Sequence, residues 1–315
     1  MLRMRSFFFL EGVMPYLLFP LAFGAVAVLM PLVLRLCAPL GATDIPDGVR
    51  KLHAAPTPRL GGLLVFSVVF SLAPLIGGLS DGRISALLTG GVVLLAVGVA
   101  DDVQPMHAPV KLLLQVAAAT AALLWVPLPQ AIRLLGRTVS LAPSVSLALC
   151  LLVTVSMINA ANLIDGVDGL AGGVFSVGLL ALAVWLGGTD TVGWVLCLLL
   201  VCALVAFLLY NRAPAIVFLG DSGSQTLGLT AAILLLTPQG GVWHTAVLWL
   251  FAVPLFDLVL STVRRLRRGQ SLFRADRGHI HHRLLRRGFS PTAVAGLLSL
   301  MTLFLSLIGL GFGGA

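Results

Sequence analysis

Four residues suited to holding a cation or a phosphate recur at three-residue spacing: Asn159, Asn162, Asp165 and Asp168, in N-A-A-N-L-I-D-G-V-D-G-L-A-G-G. Carboxylates ligate hard cations, and amides orient them or bond to phosphate and carbonyl oxygens. On a helix, at ~100° per residue, each step of three drifts ~60° backwards. One straight helix cannot aim all four at a single point. Gly166 and Gly169 follow the two aspartates, where the chain can unwind or admit a ligand closely. The stretch lies between two apolar runs and predicts a broken helix end at a membrane boundary. The bland alternative is a polar loop with turn glycines.

Other constellations point to the same chemistry. Asp101 and Asp102 follow an apolar run, and Lys111 comes nine residues later. Adjacent carboxylates repel unless a cation sits beside them, which suits a base next to a metal-proximal ligand. A solvated helix end is the plain reading, although an Asp pair there opposes the helix dipole. Asp221 sits between Gly220 and Ser222-Gly223 at a glycine-rich helix start of the kind that binds phosphate. It reads as an N-cap or a magnesium ligand. In the loop from Asp44 to Gly62, Arg50, Lys51 and His53 suit phosphates, and prolines stiffen the chain. The alternative there is a charge signal that sets topology. His279, His281 and His282 lie in a segment, Arg264 to Arg287, that holds nine of the 20 Lys and Arg residues. Zinc would need further ligands, and only Asp276 is near. A His and Arg patch facing anionic phosphates fits better, with some arginines on lipid headgroups.

The elements that must position these groups are membrane helices. The chain is 59% hydrophobic and 10% charged, against ~25% charged in soluble domains. The expected class is an all-α polytopic integral membrane protein, a single domain over 1–315, with about ten spans. These are Pro15–Cys37, Leu60–Leu79, Ile84–Ala100, Val110–Val126, Leu141–Ile158, Leu170–Gly187, Thr191–Tyr210, Ser222–Thr237, Val242–Val263 and Pro291–Phe312. Segments after odd-numbered spans carry fifteen of the 20 Lys and Arg residues; Arg3, Arg5, Arg83, Arg133 and Arg137 are the rest. The positive-inside rule then puts the odd loops in the cytoplasm and both termini outside. Most of the Asp, Asn and His chemistry falls on those loops, so one site on the cytoplasmic face is expected. The four cysteines sit in apolar runs and read as small hydrophobes. No removable signal peptide is expected.

Taken together, these segments resemble the polyprenyl-phosphate N-acetylhexosamine-1-phosphate transferases, membrane enzymes that start cell-envelope glycan synthesis. The likeness rests on D-I-P-D-G-V-R-K-L-H-A-A-P-T-P-R-L-G-G, the Asp101-Asp102 pair with Lys111, N-A-A-N-L-I-D-G-V-D-G-L-A-G-G, N-R-A-P-A-I-V-F-L-G-D-S-G-S and H-I-H-H-R, in that order. It covers about residues 40–290 and is nearer the GlcNAc-1-phosphate branch than the peptidoglycan branch, whose three consecutive histidines Ile280 interrupts here. It implies attack by a polyprenyl (undecaprenyl) phosphate oxygen on the sugar-bearing phosphorus of a UDP-N-acetylhexosamine, with release of UMP. It implies Mg2+, replaceable by Mn2+, held by Asp221, Asp102 and Asn162. Asp101, Asp102, Asp165, His279 and His281 would be catalytic. Lys51, His53, Lys111, Asn159, Asn162, Asp168, Asn211, Phe218 and His282 would bind substrate, with Asp168 and Phe218 towards uracil and Asp165 towards the metal and diphosphate. The setting implied is the cytoplasmic (inner) membrane, with a homodimer as a further expectation and no nucleic acid. A cation-coupled transporter is the alternative class; a CDP-alcohol phosphatidyltransferase lacks support because the Ala-Arg that should follow its Asp-Gly is missing.

Overall fold

Inside a bilayer no water is available to backbone N–H and C=O groups, so an apolar chain satisfies them internally as helix. The computed structural model describes residues 2–45, 56–134, 136–271 and 278–313. Lys51 and His53 lie outside the described residues. In chain order the elements are α1 Leu2–Cys37, β1 Thr43–Asp44, β2 Thr57–Pro58, α2 Gly61–Leu72, α3 Pro74–Gly77, α4 Gly82–Ala86, α5 Val92–Val103 and α6 Ala108–Leu123. There follow β3 Ala131–Leu134, β4 Arg137–Ser140, α7 Pro143–Ile164, α8 Leu170–Leu186, α9 Thr191–Asn211, α10 Gly220–Leu235, β5 Val242–His244, α11 Ala252–Arg267, α12 Ile280–Arg286 and α13 Pro291–Gly313. The chain is an all-α polytopic membrane protein.

Six described helical stretches are long and apolar enough to cross a membrane: Pro15–Cys37, Gly82–Val103, Pro143–Ile164, Thr191–Asn211, Thr245–Arg267 and Pro291–Phe312. Gly61–Gly77, Ala108–Leu123 and Leu170–Leu186 are apolar but shorter. The expectation of about ten full spans therefore needs adjusting. The expected span Ser222–Thr237 is α10, whose residues from Ser222 to Leu235 are all buried in the bundle. Its serines, threonines and glutamine belong to a central helix that meets protein on every side. The span expected from Val242 instead begins as β5 and a 3-10 turn, and only then becomes α11.

Small residues let α10 sit at the centre. It packs on α7, α5 and α2. A Cβ on Gly228 would stand 2.4 Å from the Met157 carbonyl oxygen, and one on Gly98 would stand 2.3 Å from the Ser222 Cα. Without hydration to drive helices together in lipid, such close backbone packing is what associates them. The outer surface is apolar in turn: Val28, Leu124 and Phe304 are each more than 60% exposed. Two small sheets mark the loops. β1 pairs antiparallel with β2, Thr43 opposite Pro58, and a three-stranded sheet runs in the order β4-β3-β5.

Candidate active site

A cavity of about 350 Å³ opens where the segments after the odd-numbered expected spans meet. Asp44 and Arg59 enter it from the β1–β2 pair, Asp102 from the end of α5, and Asn162 from the last turn of α7. The turn after α7 supplies Asp165, Gly166, Val167 and Asp168; the stretch into α10 supplies Asn211, Phe218, Gly220 and Asp221; α12 supplies His282. Asp44 and Arg59 are ion-paired to each other. Sequence reasoning singled out neither as a site residue.

Asp221 is the hub. Lys111 donates to its Oδ1 at 2.5 Å, and the Asn162 amide donates to the same oxygen at 2.5 Å. Lys111 also pairs with Asp101 at 2.7 Å, and the Met106 backbone N–H donates to Asp101 at 2.6 Å. Neither Lys111 nor Asp101 lines the cavity. Lys111 was expected to meet the diphosphate and Asp101 to act on substrate; the structure places both one side chain back from the cavity, with Lys111 bonded to Asp221. From behind the cavity wall the ammonium bridges Asp101 and the lining residue Asp221, offsetting one of their two charges. Asp102 uses both carboxylate oxygens on the start of α10, accepting from Asp221 N at 2.8 Å and Ser222 N at 2.9 Å. These two N–H groups have no partner within their own helix, so Asp102 caps α10 from a neighbouring helix and fixes where Asp221 stands. Gly220, at φ +74°, makes the approach feasible: a Cβ there would fall 2.0 Å from the Arg59 carbonyl oxygen.

Helix α7 runs on to Ile164, so Asn159 and Asn162 belong to regular helix and the break comes only at Asp165. The break falls beside Gly166, one of the two glycines at which the sequence led us to expect the chain to unwind. Asn162 spends its amide nitrogen on Asp221 and on Ser224 Oγ at 3.0 Å, leaving its oxygen as the only group with which it could ligate a cation. Asn159, expected to bind substrate, is turned inward, donating to Gln115 Oε1 at 2.8 Å, and is not among the cavity's lining residues. Asn211 lines the cavity but is committed to the backbone. It accepts from Gly169 N at 3.0 Å and donates to the Val217 carbonyl at 2.8 Å. It braces the loop that carries Phe218, which uses one of its two N–H donors and one lone pair of its oxygen. Asp168 accepts from Ala215 N at 2.9 Å, tying that loop to the turn after α7.

The three histidines form one packed unit. His279 Nδ1 lies 3.0 Å from Asp257 Oδ2, and Ile280 N donates to Asp257 Oδ1 at 3.0 Å. His279 and His281 stack with ring centres 5.6 Å apart, and His281 lies 4.3 Å from His282. Only His282 lines the cavity. His281 is 1% exposed, and its Nδ1 has no hydrogen-bond partner. Burial, then the neighbouring His282 and His279, push it down to about 3, so it is neutral. His279 and His281, both expected to be catalytic, stand behind His282, which is the histidine that lines the cavity. Asp257 went unnoticed in the sequence, yet it left a signal: one carboxylate inside an apolar span is a functional candidate.

Five carboxylates line the cavity, Asp44, Asp102, Asp165, Asp168 and Asp221, and its basic members are Arg59, which is paired with Asp44, and His282. Burial raises the Asp165 carboxyl well above the usual range, and the charges of Asp221, Asp102 and Asp168 raise it further. Such a site repels anionic ligands unless a cation joins it. The donors present, Asp221, Asp102 and the Asn162 oxygen, are hard oxygens of the kind magnesium takes. No group of three His, Cys, Asp or Glu among the described residues could hold a metal ion, so a bound ion would take oxygens from phosphate or water as well. The residues fit a divalent cation.

The comparisons with known proteins agree with this arrangement. A family model described as glycosyl transferase family 4 matches residues 84–239, a range that holds every cavity residue from Asp102 to Asp221. The chain is 33% identical over 276 residues to the probable undecaprenyl-phosphate N-acetylglucosaminyl 1-phosphate transferase of Bacillus subtilis (strain 168), covering 84% of this chain and 75% of that protein. It is 35% identical over 306 residues to the decaprenyl-phosphate N-acetylglucosaminephosphotransferase of Mycobacterium tuberculosis (strain ATCC 25618 / H37Rv), covering 84% and 74%. With the undecaprenyl-phosphate alpha-N-acetylglucosaminyl 1-phosphate transferase of Salmonella typhi it shares 31% over 286 residues, covering 86% and 76%. Identity at that level along three quarters of each relative, on a chain whose acidic cavity falls within the matched range, places this protein in glycosyl transferase family 4.

Proposed function

We propose that the chain transfers N-acetylglucosamine 1-phosphate from UDP-N-acetylglucosamine to polyprenyl phosphate, releasing UMP and leaving a lipid diphosphate sugar for cell-envelope polysaccharide synthesis. The observation that carries this is the convergence of Asp102, Asn162, Asp165, Asp168, Asp221 and His282 on one cavity at the ends of apolar helices. A lipid acceptor reaches such a cavity from the bilayer, and a nucleotide sugar reaches it from water. The names of the relatives specify the polyprenyl acceptor and the sugar. The setting is the inner membrane, with the cavity on the cytoplasmic side.

In the reaction an acceptor phosphate oxygen attacks the sugar-bearing phosphorus. The bond from that phosphorus to the bridging oxygen breaks, and UMP leaves with the electron pair. The acceptor needs little help from a base, because the second pKa of a phosphate ester is about 6. This agrees with Asp101 being tied to Lys111. Asp221, Asp102 and the Asn162 oxygen would hold Mg2+, or Mn2+ in its place. The ion would polarise phosphoryl oxygens and offset the repulsion between two anionic substrates. Arg59, paired with Asp44, and His282 stand at the cavity wall as donors for phosphate oxygens, and Asp168 and Phe218 face the nucleotide base.

The test is transfer of labelled sugar phosphate from a panel of UDP-N-acetylhexosamines to polyprenyl phosphate, with and without Mg2+. Activity should require the ion, run backwards with UMP, and fall by at least a hundredfold in Asp221→Asn. Turnover without metal, or an Asp221→Asn enzyme of full activity, overturns this reading.

A further inference from the structure

One turn deeper than the cavity, each of three helices carries an amide. Gln115 lies four residues after Lys111 on α6, Gln225 four after Asp221 on α10, and Asn159 three before Asn162 on α7. On a helix these spacings put each amide on the same face as its partner, one turn away. Gln115 and Gln225 are 1% and 0% exposed. The Asn159 amide donates to Gln115 Oε1 at 2.8 Å, Gln115 Nε2 donates to Gln225 Oε1 at 2.9 Å, and Gln225 Nε2 reaches Asp221 Oδ1 at 3.4 Å.

The direction of this row follows from chemistry. A carboxylate only accepts, so the group Gln225 turns to Asp221 must be its NH2. Its oxygen then faces Gln115, which must present NH2 to it and oxygen to Asn159. Asn159 must therefore aim its NH2 at Gln115, and the same NH2 also donates to the Val155 carbonyl, another pure acceptor. Every amide thus points its N–H end towards Asp221, and aligned hydrogen bonds of this kind polarise one another in a low-dielectric interior. Gln225, Lys111 and Asn162 all land on Oδ1, so three donors fix the orientation of the Asp221 carboxylate.

We infer that Gln225, Gln115 and Asn159 form a row of positioning residues that orients Asp221 for the divalent cation and raises its affinity. This rests on the metal reading above. Groups behind the ligands of a metal site commonly change affinity ~10–100-fold when removed. The experiment measures Mn2+ binding directly, by electron paramagnetic resonance of the detergent-solubilised full-length protein without substrates. The variants are Gln225→Met, Gln115→Met and Asn159→Leu, which keep approximate volume and remove the amide. Thr230→Val is the control, since it removes a buried hydroxyl from α10 that donates only to the Thr226 carbonyl. Mn2+ affinity should fall about tenfold or more in Gln225→Met, less in Gln115→Met and least in Asn159→Leu, with Thr230→Val unchanged. Equal affinity in wild type and Gln115→Met overturns the row while leaving the metal reading intact. An equal loss in Thr230→Val also overturns it, since packing alone would then explain the effect. Absence of Mn2+ binding by the wild-type protein overturns the metal reading and this inference with it.

Discussion

At the scale of single residues, what decides a role here is which atoms of a side chain are already committed. His281 is the sharpest case. Its Nδ1 is buried without a partner, and its pKa is pushed down to about 3, first by burial and then by His282 and His279. An unfolded histidine takes its proton near pH 6.5. Between pH 6.5 and about 3 the unfolded chain therefore binds more protons at this position than the folded one, and stability falls as the pH falls. The slope contributed is at most about 1.4 kcal/mol per pH unit. In detergent, the wild-type midpoint of unfolding should drop on going from pH 6.5 to pH 5. His281→Asn should flatten that decline, although it lowers the starting stability by disturbing the stacked rings. Parallel pH dependences in the two proteins would show that His281 is already charged in the fold.

At the scale of elements, the site is positioned by α10 and the glycines around it. Asp221 stands in the first turn of α10, and no residue from Ser222 to Leu235 is left exposed. A methyl group at Gly228 has no space, since its nearest neighbours are the Met157 carbonyl oxygen at 2.4 Å and the Ile158 Cα at 2.5 Å. Backbone cannot rotate away as a side chain can, so α10 and α7 must separate. Overpacking of this kind costs ~1–3 kcal/mol. Gly228→Ala should lower the thermal midpoint by several degrees, whereas Gly296→Ala on α13, where a Cβ meets nothing within 4 Å, should not. Equal midpoints for the two variants would mean that α10 is not held as tightly as its contacts indicate. Such helices explain where sequence reading succeeded and where it failed. The hydropathy of α9 and α13 and the turn at Asp165 are local signals, and the chain displays them openly. The central placement of α10 is not local, because Ser222, Gln225 and Thr226 look like the polar start of a lipid-crossing helix until their partners are known. Gln115 and Gln225 are 110 residues apart, and Asp257 and His279 are 22 apart. Nothing in the spacing of either pair announces a contact. Asn159 shared a regular period with Asp165, yet the ~60° drift of that period carried it to Gln115 and out of the cavity.

At the scale of the whole molecule, charge and chemistry divide between two ends. Arg264, Arg265, Arg267 and Arg268 close α11, and Arg283, Arg286 and Arg287 lie on or after α12, which also brings His282 to the cavity. On the two segments after the second and sixth expected spans, Asp81, Arg83 and Asp190 instead satisfy one another, with Arg83 2.7 Å from Asp81 and also paired to Asp190. That triad joins the starts of α4 and α9 and leaves little net charge. Anionic lipid on the cytoplasmic leaflet attracts clustered Arg and Lys, ~1 kcal/mol for each near the surface, so the end bearing α12 should face inwards. Single cysteines report this once the half-buried Cys202 is replaced by Ala, because Cys37, Cys150 and Cys197 are buried. Thr138 on β4 and Arg268 after α11 are both exposed. In spheroplasts a membrane-impermeant maleimide should label Thr138→Cys at once and Arg268→Cys only after permeabilisation. The reverse pattern would invert the molecule, place the cavity outside, and count against the proposed reading, in which a nucleotide sugar reaches it from the cytoplasm.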